Sequence, residues 1–177
     1  LRKETSNLVS ALRRPEVRGR WGELQLERVL ELAGMTEHCT YEKHEALNDE
    51  EGRWIPDVLV KLPNGRQIVI DIKTPVDAFI TASETSDEKE RIEHLKRHTS
   101  QLTERAKELA SKAYWLKVKG SAEFVVMFIP GESFLISAVE QRPDLLDWAM
   151  SQKVVITTPT MLVALLKAVA LGWREDR

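Results

Sequence analysis

Trp54-Ile-Pro-Asp-Val-Leu-Val-Lys-Leu62 and Arg66-Gln-Ile-Val-Ile-Asp-Ile-Lys73, separated by Pro63-Asn64-Gly65, decide how this chain is read. Both runs are rich in β-branched residues, and the triplet between them is turn chemistry, so together they predict a β-hairpin. The loop length matters most, because side chains alternate between the faces of a strand and a one-residue slip exchanges them. A two-residue loop at Asn64-Gly65 mixes apolar and polar residues on both faces. A three-residue loop fits a type I turn followed by a glycine in the left-handed region. It pairs Leu62 with Arg66, Val60 with Ile68, Val58 with Ile70 and Asp57 with Asp71. Val58, Val60, Leu62, Ile68, Ile70 and Ile72 then share one face. Asp57, Leu59, Lys61, Gln67, Val69, Asp71 and Lys73 share the other. Burial of a large apolar side chain stabilises by roughly 1.5–3 kcal/mol, so the sorted register wins over any local turn preference.

That register has a chemical consequence. Two aspartates stand opposite each other with Cβ atoms about 4.5–5.5 Å apart, with Lys73 a diagonal neighbour on the same face. Like charges directly opposite destabilise a sheet, and a divalent cation between them removes the penalty. Two carboxylates, a backbone carbonyl and water form an oxygen set suited to Mg²⁺. A solvated edge on which Lys73 bridges both acids is the plainer reading of the same spacing, and the residues alone leave both open.

Toward the N-terminus, Leu24 to Ala33 is a helical pattern ended by Gly34. On a wheel of 100° per residue, Leu24, Leu26, Val29, Leu30, Leu32 and Ala33 form a broad apolar arc with Trp21. Glu23 borders the arc and is the acid best placed to reach the sheet, whereas Glu27 and Glu31 read as solvated. Gly22 lets the backbone come close to a neighbour. Residues 40–46 read as a further strand. Toward the C-terminus, residues 86–112 predict a long amphipathic helix with Ile92, Leu95, Leu102, Ala106 and Leu109 on one face and acids Asp87 and Glu88 in its first turn. A buried strand at 123–129, helix at 133–149 interrupted near Pro143, strand at 153–157 and a last helix with Thr158 as cap and Pro159 at its first position complete the order. A meander followed by βα units implies an α/β fold, a mixed sheet of about five strands with helices on both faces.

The chain has 177 residues, a net charge of −2, 42% hydrophobic and 31% charged residues, and a single cysteine, Cys39. This suits one soluble globular domain without an internal disulfide, and it argues against a protein that coats DNA by overall charge. No apolar run is long enough to span a bilayer. The chain begins at Leu1 within what reads as a helix tail stopped by Pro15, so residues 1–15 are taken as the end of an upstream helix or coiled coil and 16–177 as the domain. Arg13, Arg14, Arg18 and Arg20 precede Glu23. Arg18 and Arg20, with Lys61, are the candidate nucleic-acid contacts, while Trp21 and Trp54 are either base-stacking or core aromatics. His94 and His98 have a zinc-like spacing but lack the accompanying glutamate, which favours a surface or packing role. No glycine loop that cradles phosphates is present, which argues against a nucleotide hydrolase.

Pro56-Asp57, Asp71-Ile72-Lys73 and a helical Glu23 resemble the PD-(D/E)xK nuclease superfamily. Arg18-Gly-Arg-Trp-Gly-Glu-Leu-Gln-Leu-Glu27, Pro56-Asp-Val-Leu-Val60, Ile68-Val-Ile-Asp-Ile-Lys73, Val126-Met-Phe-Ile-Pro130 and Thr157-Thr-Pro-Thr-Met-Leu-Val-Ala-Leu165 together resemble the RmuC family of DNA recombination proteins. The resemblance implies a restriction-endonuclease-like fold and a metal-dependent DNA nuclease. In that role Asp57, Asp71 and the Ile72 carbonyl bind Mg²⁺ or Mn²⁺, Glu23 completes the shell directly or through water, and Lys73 orients the attacking water. It further implies a bacterial cytoplasmic protein whose parent is membrane-anchored upstream, DNA as partner, and homo-oligomerisation through the upstream helical region. The chain departs from the family at Ile72, where a small residue is usual. It also carries Gln101 followed by Arg105 rather than the Gln-x-x-x-Tyr pair of some exonucleases. The competing readings are a catalytically silent DNA-binding module and an assembly module on the same fold.

Overall fold

A computed structural model describes residues 10–35, 40–43, 47–49, 52–54, 57–62, 65–72 and 74–175. In chain order the elements are α1 (Pro15–Leu32), β1 (Thr40–Lys43), β2 (Leu47–Asp49), β3 (Gly52–Trp54), β4 (Val58–Lys61), β5 (Gln67–Asp71), α2 (Asp77–Glu84), α3 (Glu88–Lys112), α4 (Tyr114–Lys117), β6 (Ser121–Phe128), α5 (Glu132–Gln141), α6 (Leu145–Ser151), β7 (Val154–Thr157) and α7 (Pro159–Glu175).

The β4–β5 hairpin adopts the sorted register. Val58 pairs with Ile70, Leu59 with Val69, Val60 with Ile68 and Lys61 with Gln67. The loop closes through Leu62 N–H donating to the Arg66 carbonyl at 2.8 Å and Gly65 N–H to the Leu62 carbonyl at 3.1 Å. Gly65 has φ +85°, the left-handed conformation that the three-residue turn demands. Around this hairpin the sheet runs in the order β1-β4-β5-β6-β7, and β2 and β3 form a separate antiparallel pair. β4 is antiparallel to both β1 and β5, whereas β6 runs parallel to β5 and β7 parallel to β6, so the sheet is mixed. Two local readings change. Trp54 belongs to β3, in the small hairpin, and not to the strand that follows Asp57; three-residue polar strands leave no periodic signal. α2 is an additional helix, too short after Pro75 for its periodicity to stand out in the sequence.

Both faces of the sheet are covered. Val58, Val60, Ile68 and Ile70 pack with Val126 and Phe128 against Leu26, Val29 and Leu30 of α1 and Leu162 and Leu166 of α7. Leu59, Val69, Val125 and Met127 face Ile80 of α2, Leu102, Ala106 and Leu109 of α3, and Leu135 and Leu145 of α5 and α6. The parallel strands are therefore apolar on both sides, as such strands must be.

The helices are set by their ends and stripes. Pro15 occupies the first position of α1, where its missing N–H costs nothing. The buried stripe of α1 is narrower than the apolar arc of the sequence, because Leu24 and Leu32 lie exposed. α3 starts at Asp87, whose carboxylate caps it by accepting from Glu90 N–H at 3.1 Å. Its buried face comprises Leu95, His98, Thr99, Leu102, Ala106 and Leu109, close to the expected seam. α5 and α6 are separated at Pro143, as expected. At the start of α7, the Glu132 side chain accepts from Thr160 N–H at 3.2 Å, so a distant glutamate supplies capping that the sequence assigns to Thr158.

Candidate active site

The register puts Asp57 and Asp71 side by side at the C-terminal end of β5. Asp71 pairs with Met127 of β6, and Asp57 immediately precedes β4. Both are buried, at 6% and 5% exposure. Asp57 Oδ2 accepts from Ile72 N–H at 2.8 Å, which ties the two strands together beyond their ladder. Thr74 donates to the Phe128 carbonyl at 2.8 Å and so fixes the exit of β5 against β6.

Arg105 of α3, the helix packed on the Leu59 and Val69 face of the sheet, reaches Asp71. Its Nη2 lies 2.5 Å from Asp71 Oδ1 and its Nε 3.2 Å from Oδ2, a fork engaging both oxygens. Its Nη1 donates to Glu108 at 2.7 Å. Burial pushes the Asp71 carboxyl up to about 7; Arg105 pulls it back, and neighbouring Asp57 pushes it further up. Burial disfavours the Arg105 cation, but Asp71 and Glu108 outweigh burial and raise its pKa. Burial, then the charge of Asp71, likewise raises the Tyr114 phenol.

Asp57 opens onto a cleft of about 930 Å³ between the start of α1, the end of β5 and α3, whereas Asp71 lies behind Arg105, which lines it. Arg18, Glu23, Asp57 and Ile72 contribute to one side; Arg97, Gln101, Glu104, Arg105 and Glu108 of α3 form the other. Those α3 residues recur at helical spacing beside the buried stripe, so one helix serves core and cleft at once. Glu23 is half-buried and shares the wall with Asp57, as the wheel implied. Arg18 lines the cleft while donating to the Leu12 carbonyl at 3.2 Å and to Asp77 at 3.4 Å. Arg20 is exposed and does not line the cleft. Lys61 is on the face expected but at the far end of β4, opposite Gln67. Four residues of strand place it about 13 Å from Asp57, at roughly 3.3 Å per residue. Parity assigns its face correctly, but parity carries no information on position along the strand. Lys73 and Cys39 lie outside the described residues.

Gly22 is buried and explains how α1 approaches. A Cβ there would lie 2.8 Å from Ile72 Cγ2, the residue whose N–H holds Asp57. A Cβ at Gly19, on the same helix, meets nothing within 4 Å. Gly19→Ala is expected to stabilise by about 0.5–1 kcal/mol through helix propensity. Gly22→Ala should instead destabilise, because overpacking costs about 1–3 kcal/mol. Urea midpoints of the two variants moving in the same direction would contradict this packing.

The chain matches the RmuC family model over residues 1–177. It belongs to the RmuC family. It is 38% identical to a "DNA recombination protein RmuC homolog" of Zymomonas mobilis over 99% of this chain and 40% of that protein. Homologues of the same name from Chlamydia pneumoniae (37%; 99% of this chain, 41% of that protein) and Pseudomonas aeruginosa (38%; 100% and 40%) are comparable. The chain thus spans about two fifths of the length of these relatives. No solved structure matches it significantly. Among the described residues, no helix is long and apolar enough to cross a membrane.

Sequence reasoning misses two residues beside the acid pair of this RmuC-family chain. Arg105 reads only as a departure from Gln-x-x-x-Tyr, although its four-residue spacing from Gln101 places both on one helix face. Tyr114 gives no signal, since its proximity to the acids arises from the turn of chain after α3. The aromatic Trp21 proves to be a packing residue, with its ring 6.1 Å from that of Phe134 in an edge-on contact. His98 is buried, its Nε2 2.8 Å from the Phe134 carbonyl, and His94 instead lies 2.9 Å from Arg97, so the two do not act as a pair.

As donors, the two adjoining carboxylates suit a hard divalent cation. Their surroundings qualify that fit. Arg105 engages both oxygens of Asp71, and among the described residues no three of histidine, cysteine, aspartate and glutamate are grouped as a metal site. Glu23, although on the same cleft wall as Asp57, does not join the two aspartates in such a group.

Proposed function

We propose that this domain is a PD-(D/E)xK-type, Mg²⁺- or Mn²⁺-dependent deoxyribonuclease on a restriction-endonuclease-like fold, acting in DNA recombination. One observation carries the reading: Asp57 and Asp71 are buried side by side, with Asp57 on the wall of an open cleft and Asp71 directly behind it, an arrangement of like charges that a shared cation relieves. Asp57, Asp71 and the Ile72 carbonyl would hold the cation, with Glu23 contributing through water. The bound cation would polarise the phosphate and lower the pKa of water. Lys73, one residue past Ile72, would orient that water and stabilise developing charge. Arg18 and Arg97 would contact phosphates along the cleft; Arg20 and Lys61 lie away from it and are not needed for this role. The relatives' name, DNA recombination protein, supports DNA as the substrate. In the full-length protein we place the domain in the bacterial cytoplasm, beneath an upstream membrane anchor and a helical region that oligomerises.

The test is cleavage of linear, single-stranded and branched DNA with Mg²⁺ or Mn²⁺. Metal-dependent cutting that vanishes with EDTA is expected, with affinity falling steeply with salt. The seat of Arg105 on Asp71 favours one second reading, a DNA-binding module that no longer cuts. Binding without cleavage of any substrate would establish that reading in place of ours.

A further inference from the structure

Resting on the metal reading above, we infer that Arg105 is an internal counter-ion for the acid pair, which leaves Asp71 when a divalent cation enters and then faces the DNA phosphate in the cleft. The guanidinium fork engages both oxygens of Asp71, so a cation joining either oxygen meets that positive charge at close range. A dication and a guanidinium on one carboxylate repel each other, so one must yield. The surroundings of Arg105 provide a second position. Glu108, one turn onward, already holds Nη1 at 2.7 Å and acts as a pivot. Gln101, one turn back on the same face, has a buried side-chain oxygen without a hydrogen-bond partner, on the wall of the same cleft. Buried acceptors are rarely left unmatched, and a guanidinium turned from Asp71 toward Gln101 supplies the donor. The moved group remains within the cleft beside Arg97, where a planar fork suits a phosphodiester better than a lysine ammonium does.

Mn²⁺ calorimetry on this chain, with thermal melts in EDTA and in Mn²⁺, tests this on wild type, Arg105→Met and Arg105→Lys. Arg105→Met should bind Mn²⁺ at least about tenfold more tightly, because no internal cation competes. It should melt lower than wild type in EDTA and regain the difference in Mn²⁺. Arg105→Lys, which keeps the charge and guards against a misfolded methionine variant, should bind with intermediate affinity. DNA binding in Ca²⁺ should weaken in both variants. Wild-type Mn²⁺ binding that is unchanged or weaker in both variants overturns the role of Arg105 and leaves the metal site standing. Absence of Mn²⁺ binding by all three proteins overturns the metal reading itself.

Discussion

On the proposed metal-dependent reading, Asp71→Asn is expected to abolish metal binding and lower DNA cleavage by about a thousandfold or more, while leaving the fold as stable as wild type or more so at pH 8. Loss of activity follows from charge. A cation held by two carboxylates would lose half of its anionic ligation, and several kcal/mol of transition-state stabilisation would pass through that ion, each 1.36 kcal/mol being tenfold in rate. Stability behaves differently because the protein already disfavours ionised Asp71, whose carboxyl is raised to about 7 chiefly by burial. An asparagine resembles the neutral form, still accepts a hydrogen bond from Arg105, and leaves Glu108 paired to that arginine at 2.7 Å. Cleavage assays beside urea titrations check both halves. A large stability loss with activity retained would make Asp71 a structural residue and remove the basis of the site.

The contrast between Asp71 and the residues beside it shows what sequence carries. Val60, Ile68 and Ile70 alternate with Leu59 and Val69, and that alternation determines the register, the faces and the adjacency of the two acids. Such local patterns survive folding because a slip would expose the entire apolar set. Glu23 is legible for the same reason, as helical phase relates it to buried Leu26 and Leu30. Arg105 is not legible. Its phase on α3 is plain, but which end of the sheet that helix crosses depends on packing of Leu102, Ala106 and Leu109 against Val69 and Val125, contacts between segments far apart in sequence. Lys61 fails in the complementary way, with its face known and its distance along the strand ignored. Gly22 lies between these cases: its freedom to approach is readable, but its partner Ile72 emerges only from the tertiary structure.

The pH dependence of stability should show the same strain at Asp71. A carboxyl at about 7 in the folded chain and 3.8 otherwise binds its proton more readily when folded. Its contribution is therefore complete below about pH 4, is lost as pH rises toward 7, and is constant above that. The rise from 3.8 to about 7 corresponds to roughly 4 kcal/mol. Other groups slope the opposite way. Burial lowers the His98 pKa, so its stabilising neutral form is lost as pH falls below 6.5. Hydrogen bonding from Arg13 and Arg91 lowers Glu84 and Glu88, whose contributions are lost on further acidification. These are common to wild type and Asp71→Asn, so subtracting their unfolding free energies isolates Asp71. The difference should shift in favour of the variant from pH 4.5 to 7.5 and then level off. Mn²⁺ should reverse the trend for wild type alone, because the cation requires the ionised carboxylate and its affinity should rise up to tenfold per pH unit until about pH 7. A difference profile that is flat across this range would mean that Arg105 fully neutralises Asp71, leaving no electrostatic strain for a cation to relieve.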